Sequence, residues 1–94
     1  MKVRYTPRAI ANLDAIFSYI DQSSPAGALR VKSRIQQLIE GLADFPLAGR
    51  ETGFRKMRVL VAGRFPYLIF YRVIGQEVQI IHIRHGARRP WKGQ

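Results

Sequence analysis

Apolar residues recur along this chain at two different periods, and the switches between them divide it into elements. In Met1–Tyr5, Val3 and Tyr5 alternate with Lys2 and Arg4, which is the pattern of a short strand. Thr6-Pro7 follows. A threonine hydroxyl can cap free backbone N–H groups, and proline loses no hydrogen bond at the first helical position, so the pair predicts a helix start. From there Ile10, Leu13, Phe17 and Ile20 step by three or four, with Ile16 beside them. They form one apolar stripe of an amphipathic helix over residues 7–23. Ser24-Pro25 repeats the start signal, and Ala28, Val31, Ile35, Leu38, Leu42 and Phe45 give a second stripe. That stripe predicts a helix over residues 25–45, ended by Pro46 and weakened locally by Gly41. Arg30, Lys32 and Arg34 lie off it. The connection between the helices is tight, so they should form an antiparallel hairpin.

After the helices the pattern becomes strand-like. Residues 46–56, PLAGRETGFRK, read as a loop punctuated by Pro46, Gly49 and Gly53. Met57–Ala62 is rich in β-branched residues, and Gly63–Pro66 is a turn. Tyr67–Ile74, YLIFYRVI, is almost wholly apolar, as expected of a central strand covered on both faces. Gly75-Gln76 marks a two-residue hairpin before a last strand, Glu77–Arg84. The order β-α-α-β-β-β, with a three-strand meander over residues 57–84, predicts an α+β fold. A helical hairpin would pack on one face of a mainly antiparallel sheet in two layers. One domain of 94 residues is expected, with a basic tail at residues 85–94.

Composition narrows the class. The chain is 47% hydrophobic and 23% charged, so it can bury a core. It has no cysteine, which excludes disulfides and thiolate zinc sites. No apolar run has the length of a membrane helix or the form of a signal peptide, so a cytoplasmic protein is expected. The net charge is +10. Residues 1–49 carry six basic and four acidic side chains, whereas residues 50–94 carry ten and two. This excess in the C-terminal half favours an anionic or acidic partner.

The candidate chemistry concentrates in the same half. His82 and His85 are three apart on a strand and should face opposite sides, which argues against a shared metal. His82 is read as packed or hydrogen-bonded within the sheet, and His85 as the more exposed of the two, near the strand exit. Arg84 shares a strand face with His82, and Arg58 or Arg72 could join them if neighbouring strands are in register. Trp91 follows Arg88 and Arg89 in the tail, as an anchor on the sheet or a surface for stacking. No phosphate loop, serine–histidine–aspartate set or useful carboxylate pair is present, and no cofactor is expected.

VRYTPRAIANLDAIFSYI, TGFRKMRVLVAGRFPYLIFYRV and the closing IIHIRHGARRP together cover nearly the whole chain. In that order they resemble the ParE branch of the RelE/ParE toxin superfamily. The resemblance implies the toxin of a type II toxin–antitoxin pair, of the plasmid-stabilization kind. It would inhibit DNA gyrase by protein contact, without a catalytic site, and be neutralised by an acidic segment of a ParD-like antitoxin. Arg64, Arg84, His85, Arg88, Arg89 and Trp91 would then form the target contact. The RelE-like alternative is an endoribonuclease that cuts messenger RNA on the ribosome, for which Lys56, Arg58, Arg64, Arg84 and His85 match by position. Against it, the tail lacks a tyrosine and the loop lacks a dense lysine cluster. A further alternative is a non-toxic ParE-like partner of an antitoxin.

Overall fold

The computed structural model of the protein describes residues 1–86. Two helices cover one face of a five-stranded sheet. The elements are β1 (Lys2–Tyr5), α1 (Pro7–Ser23), α2 (Pro25–Gly41), β2 (Arg50–Glu51), β3 (Arg58–Val61), β4 (Tyr67–Ile74) and β5 (Glu77–His85). The sheet order is β1-β5-β4-β3-β2. All pairings are antiparallel except that of β1 with β5, which is parallel. The α+β expectation is borne out, with β4 at the centre of the sheet. No helix among the described residues is long and apolar enough to cross a membrane.

The helix starts follow the capping chemistry. Thr6 accepts the Ala9 amide hydrogen through its hydroxyl, and Pro7 opens α1. Ser24 acts twice. Its N–H donates to Ile20 O at the end of α1, and its Oγ accepts from Gly27 N at the start of α2. One residue therefore closes the first helix and opens the second, which keeps the hairpin tight.

Two parts of the predicted stripes shift. Ile10 is 49% exposed, and Ala9 takes its place fully buried. The small side chain lies among Leu13, Ile35, Ile80 and Ile83 in the main core. The second helix ends at Gly41, four residues before the expected Phe45. Past it the backbone tightens into i→i+3 turns, with Leu42 N bonding to Ile39 O and Ala43 N to Glu40 O. Leu42 is still buried, but Phe45 is 71% exposed.

The sheet has two apolar faces. Ile69, Tyr71, Val78, Ile80 and Ile83 join the helices in the main core. Met57, Val59 and Phe70, with Leu68 and Ile81 against them, form a smaller cluster on the opposite face. The expectation that β4 is covered on both faces matches the burial of Phe70 to 1% and of Tyr71 to 0%. Gly75 takes the positive φ its hairpin requires.

The segment 46–56 is not only a loop, since Arg50 and Glu51 pair with Val59 and Arg58 as an edge strand. A strand of two residues carries too little periodicity to register in sequence. It is held by Tyr71, whose hydroxyl donates to Pro46 O at 2.8 Å and accepts from Gly49 N at 2.7 Å. A Cβ on Gly49 would stand 2.6 Å from the Tyr71 ring and 2.9 Å from Val59 O, so only glycine fits there.

Candidate basic contact surface

The strand register divides the sequence-predicted residues between two ends and two faces of the sheet. Arg58 stands opposite Tyr71, a main-core residue, and is therefore on the helix side. Its guanidinium donates to Gly49 O at 2.7 Å and lies 3.4 Å from Glu51 Oε1. Those contacts tie down the edge strand. Lys56 sits between that strand and Arg58, in a turn where both Arg55 and Lys56 have positive φ, a backbone that residues other than glycine adopt at some cost. Thr52 holds this turn, its N–H and hydroxyl both donating to Met57 O.

Arg84 lies elsewhere. It stands opposite Leu68, which in turn faces Val61, so it is three rungs along the sheet from Arg58, about 10 Å. It is also on the other face, with its guanidinium carbon 5.8 Å from the Phe70 ring centroid. Arg72 has the same strand parity as Phe70 and shares that face. Of the two arginines that could have joined Arg84 there, Arg72 does so and Arg58 does not.

His85 pairs with Tyr67, and the rings meet edge to face at 5.4 Å. It is half-buried. The next residue, Gly86, donates its N–H to Pro66 O at 2.7 Å. The β5 exit is thereby joined to the β3–β4 turn that carries Arg64. Arg64, Arg84 and His85 are thus gathered at one end of the sheet, and Lys56 and Arg58 at the other. Arg88, Arg89 and Trp91 lie outside the described residues.

His82 is oriented by helix α1. The ring stacks on Phe70 with centroids 6.0 Å apart, and its Nδ1 lies 2.9 Å from Asn12 Oδ1. The same oxygen accepts the Ile83 amide hydrogen at 3.0 Å. Burial, reinforced by the positive charges of Arg8 and Arg84, lowers its pKa to about 4. The ring is therefore neutral at physiological pH. No group of three or more metal-ligating side chains occurs among the described residues.

The turn at Gly63–Phe65 brings in two residues that sequence reasoning did not assign to a site. A cleft of about 460 Å³ opens between this turn and α2, lined by Arg30, Ser33, Arg34, Gln37, Arg64 and Phe65, with Gly63 beside them. Arg30 and Arg34 are one helical turn apart and so share a face of α2. That spacing was a signal in the sequence. What it could not reveal was which strand turn the face would meet.

Comparison with known proteins agrees with this architecture. The family described as the ParE toxin of the type II toxin–antitoxin system parDE matches residues 3–90. The chain is 38% identical over 90 residues to the protein Y4kP of Sinorhizobium fredii, covering 96% of this chain and 92% of that one. It is 39% identical over 87 residues to toxin RelE2 of Caulobacter vibrioides, covering 93% and 97%. Among solved structures, the chromosomal ParDE toxin–antitoxin system from P. aeruginosa superposes with a TM-score of 0.80 at 31% identity. That match covers 90% of this chain and 95% of the other. Matched by the family nearly end to end and built on the same fold, the chain belongs to the ParE toxins of type II toxin–antitoxin systems.

Proposed function

We propose that this toxin acts by binding DNA gyrase through the basic end of its sheet, and that a ParD-like antitoxin neutralises it. The observation that carries the choice is the separation of Arg58 from Arg84. An RNA-cleaving site must hold its phosphate ligands and proton-transfer groups around one scissile bond, within hydrogen-bond reach. Here Arg58 is engaged with Gly49 O and Glu51 on the helix side, while Arg84 lies on the opposite face. Lys56 is on the Arg58 side of this division, and His85 is against Tyr67. The five residues do not surround a common point. A contact surface has no such requirement, and the grouping of Arg64, Arg84 and His85 suits one.

Family membership supports the antitoxin partner, because the P. aeruginosa match is a ParDE system. The net charge of +10 suits an acidic neutralising segment. The RelE-named relative from Caulobacter vibrioides keeps the ribonuclease as the reading to test against.

Two parallel reactions with purified toxin decide between them. One holds gyrase, supercoiled DNA and ATP, and the other programmed ribosomes. Trapped gyrase cleavage or lost supercoiling, with intact messenger RNA, is the expected result. Messenger RNA cuts with unaffected gyrase would overturn it, and inactivity in both would favour a non-toxic partner of the antitoxin.

A further inference from the structure

The cleft between α2 and the β3–β4 turn joins Arg64, a residue of the proposed target contact, to two arginines that neither the fold nor that contact requires. Arg30, Arg34 and Arg64 line one concavity from two separate elements. Arg34 Nη2 and Nε come within 3.8 and 3.9 Å of where a Cβ on Gly63 would stand. Gly63 has φ +67, a conformation that turns the loop back toward α2 at little cost for glycine. Arg64 leans on the Phe65 ring, with its guanidinium carbon 5.9 Å from the centroid.

The three cations are not matched by carboxylates. Both ion pairs among the described residues lie elsewhere, between Arg4 and Glu77 and between Arg58 and Glu51. No acidic residue lines the cleft, whose other polar groups are the Ser33 hydroxyl and the Gln37 amide. Like charges at i and i+4 destabilise a helix surface, and a third converging on them adds to that cost. An anionic ligand would relieve it.

The kind of anion follows from charge and donor number. A carboxylate has one charge and two oxygens, and a single bidentate arginine satisfies it. Three guanidinium groups offer three charges and a much larger set of N–H donors. A chain of phosphoryl groups supplies both, with several charges and many acceptor oxygens in a compact volume. The cleft is also concave and, at about 460 Å³, within the roughly 300–1,000 Å³ of small-molecule sites. We propose that the Arg30–Arg34–Arg64 cleft binds the phosphate chain of a small polyphosphate ligand.

The test is calorimetric titration of the full-length protein with inorganic tripolyphosphate at physiological ionic strength. One saturating site is expected. Arg34→Gln and Arg64→Gln should each weaken it at least about tenfold, since each removes charge-assisted hydrogen bonds. Arg34→Lys should weaken it too, because it keeps the charge and loses the planar fork. Arg50→Gln, at the far edge of the sheet, should leave it unchanged. All these arginines are exposed, so the variants should keep the wild-type circular dichroism; if Arg34→Gln does not, Arg30→Gln is read in its place. A nucleoside triphosphate binding more tightly than tripolyphosphate would assign the phosphates to a nucleotide. Equal binding would assign the phosphate chain alone, and either result supports the proposal. Absence of saturation would overturn it. So would equal loss in Arg50→Gln, or a hexaglutamate peptide or single-stranded oligonucleotide that binds with the same arginine dependence while tripolyphosphate does not.

Discussion

Asn12 of helix α1 and His82 of strand β5 are joined at 2.9 Å, Oδ1 to Nδ1, at the point where β5 outruns its neighbour β1. Strand β1 ends at Tyr5, opposite Ile80. Beyond it, Thr6 takes over the edge by donating to Ile80 O, and Asn12 accepts the Ile83 N–H. An oxygen that receives an amide hydrogen can only accept, so the His82 nitrogen facing it carries the ring proton. The helix thereby covers an edge that would otherwise offer unpaired backbone groups.

Asn12→Ala should therefore destabilise the protein. It strips the Ile83 amide and the His82 ring of their shared acceptor, at a cost of about 1–3 kcal/mol. Urea denaturation measures this directly. A midpoint equal to wild type would show that water replaces the asparagine at no cost.

Acid should weaken the fold through His82. Its pKa is lowered from 6.5 to about 4, first by burial and then by Arg8 and Arg84. Between those values the unfolded chain binds a proton that the native ring does not, so stability falls as pH drops through this window. It is fully retained above the upper value. His82→Gln should flatten that part of the stability–pH curve, and NMR titration of the wild-type ring should give the low value. A midpoint near the ordinary 6.5 would remove the basis for this expectation.

Tyr71→Phe should loosen the edge strand. The substitution leaves Gly49 N and Pro46 O without the hydroxyl between them, at about 1–3 kcal/mol. Gly49→Ala should destabilise by a comparable amount, about 1–3 kcal/mol, because its Cβ meets the tyrosine ring and the Val59 carbonyl. Hydrogen exchange should show both variants opening first at Arg50 and Glu51. Protection there equal to wild type would contradict the role given to Tyr71.

Toxicity should separate contact from catalysis at the Arg84–His85 end of the sheet. Arg84→Glu is expected to abolish growth inhibition on forced expression without antitoxin, with the circular dichroism of the wild type retained. His85→Gln should keep substantial toxicity, because contact needs no proton transfer. A ribonuclease would lose about 10²–10⁴-fold in rate on losing a catalytic acid or base. Full toxicity in Arg84→Glu, or its collapse in His85→Gln with gyrase untouched, would contradict the contact reading.

Much of this molecule was legible before folding. Thr6-Pro7 and Ser24-Pro25 marked both helix starts, because capping and the fixed φ of proline act within a few residues. Gly75-Gln76 marked the hairpin for the same reason. The nearly unbroken apolar run of β4 marked a strand covered on both faces, because such a run leaves neither face polar, and Phe70 and Tyr71 do lie in the two opposite clusters.

Other features came from encounters between distant residues. The parallel pairing of β1 with β5 joins residues more than 70 positions apart. The register shift opposite Phe70 and Tyr71 brings Ile80 and Ile83 into the same core although they are three apart, and no count along the sequence reveals such a bulge. Local sequence specified both helix starts, the β-hairpin and the abundance of arginine. Tertiary structure alone decided that Arg58 and Arg84 occupy opposite faces and that Arg30 and Arg34 meet Arg64. Local signals are set by backbone dihedrals and short-range hydrogen bonds, whereas the meeting of side chains depends on which strands pair and how the helices lie across them.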